Sequence, residues 1–97
     1  MAFVQIIEFR AADLDRARQV NDEWWHATEG KRTVRRELLA RDRSDPRHCF
    51  AVVFFDSYES AMENSGLPET QAAAEQYAKM SDLPPVFFDL DILEDRA

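Results

Sequence analysis

The sequence predicts an α+β domain whose elements follow the order β-α-β-β-α-β. The prediction rests first on His48–Phe55, a run of mostly apolar residues without a charge, closed by Asp56-Ser57. Such a run is typical of a strand that is buried on both faces in the middle of a sheet. Two further segments near the ends of the chain have strand character, and segments with the start and stop signals of helices lie between the strands.

The first half of the chain begins with a strand and a helix. Residues 3–10 are rich in β-branched and aromatic side chains, which favours a strand. Asp13 is a suitable N-cap for a helix that continues to about Thr28, where Gly30 ends it. Apolar side chains recur along this segment at the 3.6-residue spacing of a helix packed on a sheet.

A second strand is predicted at residues 33–41, where many charged side chains suit the edge of a sheet. Alternation of side chains places Val34 and Leu38 on one face together with Arg36, and places Glu37 on the other face. The turn that follows contains Asp-Pro, which breaks regular structure. This strand and the central strand are therefore expected to form a hairpin.

After the central strand the chain is predicted to be helical and then to return to the sheet. Ser57 can cap a short helix, which Gly66 interrupts, and Pro68 suits the first turn of a new helix. Residues 86–93 alternate cleanly between the two faces of a strand, and this pattern predicts the last strand.

This order is the split βαβ or ferredoxin-like plan, an antiparallel four-stranded sheet with the helices on one face. The first and third strands are central in that plan, and all 97 residues form a single domain. The other face of the sheet stays bare and carries apolar side chains from the central strands. A second copy of the chain, stacked sheet to sheet, would cover it, so a homodimer is expected.

Composition excludes several classes of function. The net charge of −7 argues against a nucleic-acid surface and against an anionic membrane, since both require clustered Lys and Arg. The single Cys49 allows no internal disulfide and fits a reducing compartment. The chain begins without a signal peptide and has no apolar stretch near the ~18–20 residues that span a bilayer. We therefore expect a soluble cytoplasmic protein.

The passage from the third strand into the next helix carries a family resemblance. Residues 54–62, Phe-Phe-Asp-Ser-Tyr-Glu-Ser-Ala-Met, resemble the dimeric α/β-barrel superfamily, particularly its antibiotic-biosynthesis-monooxygenase-like branch, which often has Trp-x-Ser-x-x-x-Ala at this junction. The resemblance implies a homodimer whose two sheets enclose a cavity for a small, often aromatic molecule, or for heme in some members. Cofactor-free oxygenation of quinol precursors and heme degradation are activities known in the group.

The chain departs from this pattern at two of three recognisable positions. Phe55 stands where oxygenase and heme-degrading members carry Trp, and the stretch Glu63-Asn64-Ser65 lacks the His of the heme degraders. The first-strand Asn of those members falls near Gln5. The departures argue against heme, and no cofactor is expected.

Four residues are candidate ligand contacts: Gln5, Trp25, Arg36 and Phe55. Gln5 is polar among apolar neighbours, so it either orients a ligand in the cavity or bonds across the dimer. Trp25 lies among charged residues on the predicted helix, whereas Trp24 falls in its apolar stripe. A large aromatic ring among charges suits a subunit contact or the rim of a pocket. Arg36 can bind an anionic group or lie in solvent at the sheet edge.

Two residues are candidate catalytic groups. His26 lies near a helix end and is either a general base or a surface residue stabilised by the last carbonyl groups. Tyr58 either donates a proton in the cavity or packs with its hydroxyl at the surface. His48 and Cys49 point to opposite faces of a strand and cannot form a nucleophile–base pair. The two His residues lie among no cluster of carboxylates, so no metal site is expected.

The leading functional hypothesis is that a homodimeric barrel binds a small apolar or aromatic metabolite in a cavity, with cofactor-free oxidation or rearrangement as its reaction. The alternative is a non-catalytic structural or interaction protein whose barrel is filled by its own side chains, for which the seven Phe residues would serve. A cavity of about 300 Å³ or more with a few convergent polar groups distinguishes the two.

Overall fold

The computed structural model describes residues 2–81 and 83–97, which form one four-stranded sheet and three helices. The strands lie in the order β2-β3-β1-β4 and every neighbouring pair is antiparallel, so β1 and β3 are central, as predicted. The bounds are β1 Phe3–Arg10, α1 Leu14–Ala27, β2 Val34–Arg41, β3 His48–Phe55, α2 Tyr58–Ser65, α3 Pro68–Met80 and β4 Val86–Asp91.

The helix ends follow the local signals in the sequence. The Oδ1 atom of Asp13 accepts a hydrogen bond from the backbone N–H of Arg16 at 3.0 Å, which caps α1. Gly30 follows this helix with a φ of 79°, a left-handed conformation that a side chain would strain. The Ser57 hydroxyl accepts from the N–H of Ser60 at 3.0 Å at the start of α2. These caps confirm the predicted helix starts.

The helix-covered face of the sheet contains the core. Phe3 pairs with Phe55 in the register of β1 and β3, and both pack with Val53 and with Ala61 of α2. All four side chains are at least nine-tenths buried. Since side chains alternate along a strand, the residues of β1 and β3 at every second position from these face the helices.

An irregularity in β2 changes the predicted alternation. Val34 pairs with Phe55 while Arg36 pairs with Phe54, so two positions on β2 match one step on β3. Val34 consequently packs against the core, and the prediction that it shares a face with Leu38 was wrong. The physical reason is the extra residue of a β-bulge, which moves the side chains before it to the other face.

The opposite face of the sheet is open in the single chain. Leu38 of β2 and Phe88 and Leu90 of β4 are each at least 40% exposed there. Regular pairing in β4 ends at Asp91, two residues before the predicted end of the strand. Across the described ranges 2–81 and 83–97, no helix is long and apolar enough to cross a membrane.

Candidate functional site

A cavity of about 330 Å³ lies between the sheet and the helices of a single chain. This volume falls within the range of pockets that bind small molecules, about 300–1,000 Å³. Its walls are mainly apolar, and the sheet contributes Ile7, Phe9, Ala51, Val53, Phe55 and Phe87. This cavity lies on the helix side of the sheet and is lined by residues of one chain, whereas the expected cavity lay between the sheets of two chains.

The cavity exists because α3 packs against α1 and stands away from the sheet. None of the side chains of α3 is fully buried, and the side it turns to the cavity carries the small residues Ala73 and Ala74. Ala51 is similarly small on the central strand below. Small side chains on opposing surfaces leave a gap where larger ones would meet.

Polar contacts hold α3 on α1 above this gap. The indole N–H of Trp24 donates to the hydroxyl oxygen of Thr70 at 2.9 Å. Lys31 and Glu69 form an ion pair at 3.0 Å between Nζ and Oε2 near the same end of α3. Side-chain contacts therefore connect the start of α3 with the last turns of α1 and with the residues that follow it.

Glu37 of β2 is the carboxylate of this pocket. Its Oε1 atom accepts a hydrogen bond of 2.6 Å from the side-chain amide of Asn21 on α1. Burial raises the pKa of Glu37 and the nearby charge of Asp22 adds to the rise, while the Asn21 hydrogen bond and the charge of Arg32 oppose it. Net, this carboxylate is more basic than an exposed one.

Asn64 of α2 supplies an unsatisfied acceptor. Its side chain is 6% exposed and lines the pocket, and its Oδ1 atom has no hydrogen-bond partner among the described residues. Buried polar atoms in folded proteins are paired in the great majority of cases. An oxygen in this state is suited to accept a hydrogen bond from a molecule bound in the cavity.

Tyr77 of α3 adds a phenol to the pocket lining. Its hydroxyl donates weakly to the backbone oxygen of Ala17, at 3.4 Å. Burial raises the pKa of Tyr77 to about 12, with smaller contributions from the charges of Glu37 and Asp22. The phenol is therefore protonated throughout the neutral range and can act there as a hydrogen-bond donor.

Two of the six predicted site residues line this pocket, Gln5 and Phe55. The side-chain amide of Gln5 also donates to Oδ1 of Asp89 on β4, at 3.0 Å. Phe55 is 3% exposed and is shared between the pocket wall and the core.

The structure places the other four away from the pocket, so they do not form one site with Gln5 and Phe55. Arg36 lies on the open face, its guanidinium 5.8 Å from the ring centre of Phe54. Trp25 is 38% exposed and lies under the guanidinium of Arg32 at 3.5 Å.

The two candidate catalytic groups are likewise remote from the cavity. His26 is exposed on α1, and its position two residues after the buried Trp24 places it on the opposite side of the helix. Tyr58 is 49% exposed, and its ring packs edge-on against Phe3 with the two ring centres 5.5 Å apart. Neither residue lines the pocket.

Glu37, Asn64, Tyr77 and Asn21 line the pocket but were not among the predicted site residues. One signal was present in the sequence: Asn21 falls in the apolar stripe of α1, where an amide requires a polar partner. Glu37 was correctly placed on the face of β2 opposite Leu38. The sequence did not show which face of the sheet meets the helices. Asn64 had no local signal, because only the packing of α2 turns it toward the cavity. For Tyr77 the sequence left open whether the phenol lies in a cavity or at the surface.

His48 and Cys49 lie on opposite faces of β3, as predicted. Cys49 is fully buried on the helix side. His48 lies on the other side between two carboxylates, with Nδ1 3.0 Å from Asp42 Oδ2 and Nε2 2.9 Å from Glu8 Oε2. Within residues 2–81 and 83–97 no group of three or more His, Cys, Asp or Glu side chains has a metal-binding arrangement.

Comparison with known proteins gives matches in structure alone. No protein-family model matches the chain, and no curated protein sequence matches it. Rv0793 from Mycobacterium tuberculosis superposes with a TM-score of 0.82 at 16% identity, over 100% of both chains. A candidate antibiotic biosynthesis monooxygenase from Caulobacter crescentus gives 0.83 at 14% identity, over 96% of this chain and 91% of the other.

A third match is SnoaB from Streptomyces nogalater, described as a cofactor-independent oxygenase. Its TM-score is 0.83 at 10% identity, and the superposition covers 97% of this chain and 95% of that one. Identities this low establish a shared architecture. The chain therefore has the ferredoxin-like fold of the antibiotic-biosynthesis-monooxygenase-like proteins.

Proposed function

We propose that the pocket binds a small aromatic molecule and oxygenates it without a cofactor. The observation that carries the proposal is the cavity of about 330 Å³, apolar in its walls and lined by the unpaired Oδ1 of the buried Asn64. Burial of an aromatic ring against such walls is favourable by about 25 cal/mol per Å² of apolar surface. The similarity in fold to a cofactor-independent oxygenase supports the choice of reaction.

The residues of the pocket suit a reaction in which the substrate itself supplies the electrons. An electron-rich aromatic ring reduces dioxygen once a proton has left it, and the protein then has to orient the ring and stabilise the negative charge that develops. Asn64 accepts a hydrogen bond from the substrate in this proposal, and the Tyr77 phenol donates one. The wall residue Phe55 contacts the ring and Gln5 supplies a further polar contact.

We infer that the open face of the sheet is covered by a second copy of the chain. Leu38, Phe88 and Leu90 expose apolar surface there, and contiguous apolar surface of this kind favours association. Two copies related by a twofold axis would bury the same surface on each. The free, buried Cys49 is consistent with a cytoplasmic location for this dimer.

The proposed reaction can be tested with anthrone as the probe substrate. In the expected reaction the ring methylene becomes a carbonyl, one atom of dioxygen enters the anthraquinone product and the other leaves as water. Oxygen uptake and anthraquinone absorbance report the reaction directly, with the uncatalysed rate measured in parallel. Native mass spectrometry of the protein purified from its own host shows, independently, whether an aromatic molecule is retained.

Two substitutions on α3 provide a matched pair for this assay. Ala73→Phe places a ring in the cavity, whereas Ala72→Phe places it on the exposed side of the same helix. We expect Ala73→Phe to abolish anthrone binding and turnover and Ala72→Phe to retain them. Turnover that is equal in both variants would mean that the reaction occurs elsewhere, and binding without any acceleration would leave the pocket as a binding site alone.

A further inference from the structure

Among the residues that the structure describes, Glu37 is the only carboxylate that lines the pocket, and no Lys, Arg or His lines it. In the part of the chain that the structure describes, none of the cationic nitrogens lies within 4 Å of its carboxylate. A partly buried carboxylate without a cation is costly unless hydrogen bonds satisfy it. The position of this charge in an otherwise apolar cavity therefore requires an explanation.

Asn21 satisfies only part of the hydrogen-bonding capacity of the Glu37 carboxylate. An ionised carboxyl group offers about four acceptor sites on its two oxygens, and the structure gives Glu37 one side-chain hydrogen bond, from Asn21 to Oε1. This bond joins α1 to β2 and fixes the orientation of the group. Acceptor capacity remains on a carboxylate that borders the cavity.

We propose that Glu37 recognises a hydroxyl group on the aromatic ligand and takes the proton from it, so that the ligand is a phenol or an enol. In this step the O–H bond of the ligand breaks, an O–H bond forms on Glu37, and the electron pair stays on the ligand oxygen. The carboxylate becomes neutral and the ligand becomes a phenolate or enolate. The inference rests on the proposed function for the pocket and adds the residue that recognises the hydroxyl group and accepts its proton.

The surroundings of Glu37 favour a neutral hydroxyl over a cationic ligand. Transfer of a neutral phenol into an apolar cavity costs far less than transfer of an ammonium group. The one carboxylate that the described residues contribute to the pocket has a neutral amide as its close partner. Desolvation makes the carboxylate more basic, which brings it closer to the acidity that an effective proton acceptor needs near neutral pH.

The test compares 2-naphthol with 2-methoxynaphthalene, which keeps the ring and removes the hydroxyl proton. Dissociation constants are measured for the full chain, for Glu37→Gln and for Glu23→Gln. The Gln side chain in the first variant still offers an oxygen to Asn21, so the link between α1 and β2 is retained. Glu23 is exposed on α1, and its substitution removes the same charge outside the pocket.

We expect the unsubstituted chain and Glu23→Gln to bind the naphthol about tenfold more tightly than the ether. A difference of this size is what one hydrogen bond to an ionised carboxylate contributes to binding. In Glu37→Gln this preference should fall to about twofold or less, with ether binding unchanged. In the unsubstituted chain the preference should also decrease as the pH falls through the pKa of Glu37.

The possible failures are distinguishable. A preference for the naphthol that survives in Glu37→Gln, or no preference in the unsubstituted chain, overturns the role of Glu37 and leaves the pocket intact. Tighter binding of 1-naphthylmethylammonium than of the naphthol would overturn it in favour of a cation site. Failure of all three probes to bind would overturn the proposed function and this inference together.

Discussion

The side-chain amide of Asn21 donates a 2.6 Å hydrogen bond to the carboxylate of Glu37 and so connects α1 with the edge strand β2. The distance is short for an amide donor, as is common when the acceptor is ionised. The bond orients a half-buried carboxylate at the border of the cavity. The effect of Glu37 on the stability of the fold can be measured separately from any role in catalysis.

Replacement of Glu37 by Gln is expected to stabilise the fold at neutral pH. The pKa of Glu37 is raised in the folded chain, so the folded state binds more protons than the unfolded state between the two pKa values. The stability of the unsubstituted chain therefore falls, relative to Glu37→Gln, as the pH rises from about 4.3 through the folded pKa. Urea unfolding at a series of pH values measures this difference.

Glu23→Gln is the control for that measurement, since it removes the same charge on the exposed side of α1. A Glu37→Gln variant that is less stable than the original chain at neutral pH would show that the ionised carboxylate is well satisfied in the fold. That result would contradict the desolvation argument.

Trp24→Phe is expected to loosen the attachment of α3. The substitution removes the 2.9 Å hydrogen bond to Thr70 and part of a buried ring, for a loss of about 1–3 kcal/mol in the free energy of unfolding. Trp25→Phe, which changes the neighbouring exposed ring, should cost under about 1 kcal/mol. Chemical denaturation followed by circular dichroism compares the two, and equal losses would contradict the assigned packing.

His48 is expected to make stability depend on pH. Hydrogen bonds to Asp42 and Glu8 raise the pKa of His48 above its ordinary value of 6.5. The stabilisation is complete below the unfolded pKa and is lost as the pH rises through the folded pKa. His48→Gln should therefore be destabilising at pH 6 and much less so at pH 9, and His26→Gln is the matched control. A His48→Gln penalty independent of pH would contradict the prediction.

Phe88→Lys is expected to dissociate the proposed dimer. Phe88 is 43% exposed on the open face of the single chain, so a Lys there should disturb the chain itself little but place a charge between stacked sheets. Gln19→Lys introduces the same charge on the exposed side of α1. Sedimentation equilibrium should give a dimer for the original chain and for Gln19→Lys and a monomer for Phe88→Lys. A monomeric original chain would refute the dimer.

Local patterns were sufficient for most of the fold. The charge-free run of β3 indicated a central strand, and Asp13, Ser57 and Pro68 marked helix starts that the structure confirms. These signals depend on neighbouring residues only, since caps and periodicity act within a few positions of the chain. The β-bulge at Val34 was not predicted, because pairing with β3 creates it.

The candidate site depended on contacts between distant parts of the chain. Gln5 and Phe55 were predicted as ligand contacts and line the pocket, whereas His26 and Tyr58 lie outside it. Because β3 is apolar on both faces, the alternation of its side chains could not show which face meets the helices. The predicted ligand contacts carried the same ambiguity.

The sequence by itself determined the element order, the central strands and the presence of one bare apolar sheet face, because these follow from periodicity and from the number of layers that 97 residues can form. Only the tertiary structure decided where the cavity lies. The small residues of α3 and its packing on α1 leave a cavity above β3. Glu37 and Asn64, which are distant in the sequence, both line this cavity. The volume of a cavity between helices and strands depends on how their side chains pack against each other. A local sequence pattern does not predict this packing.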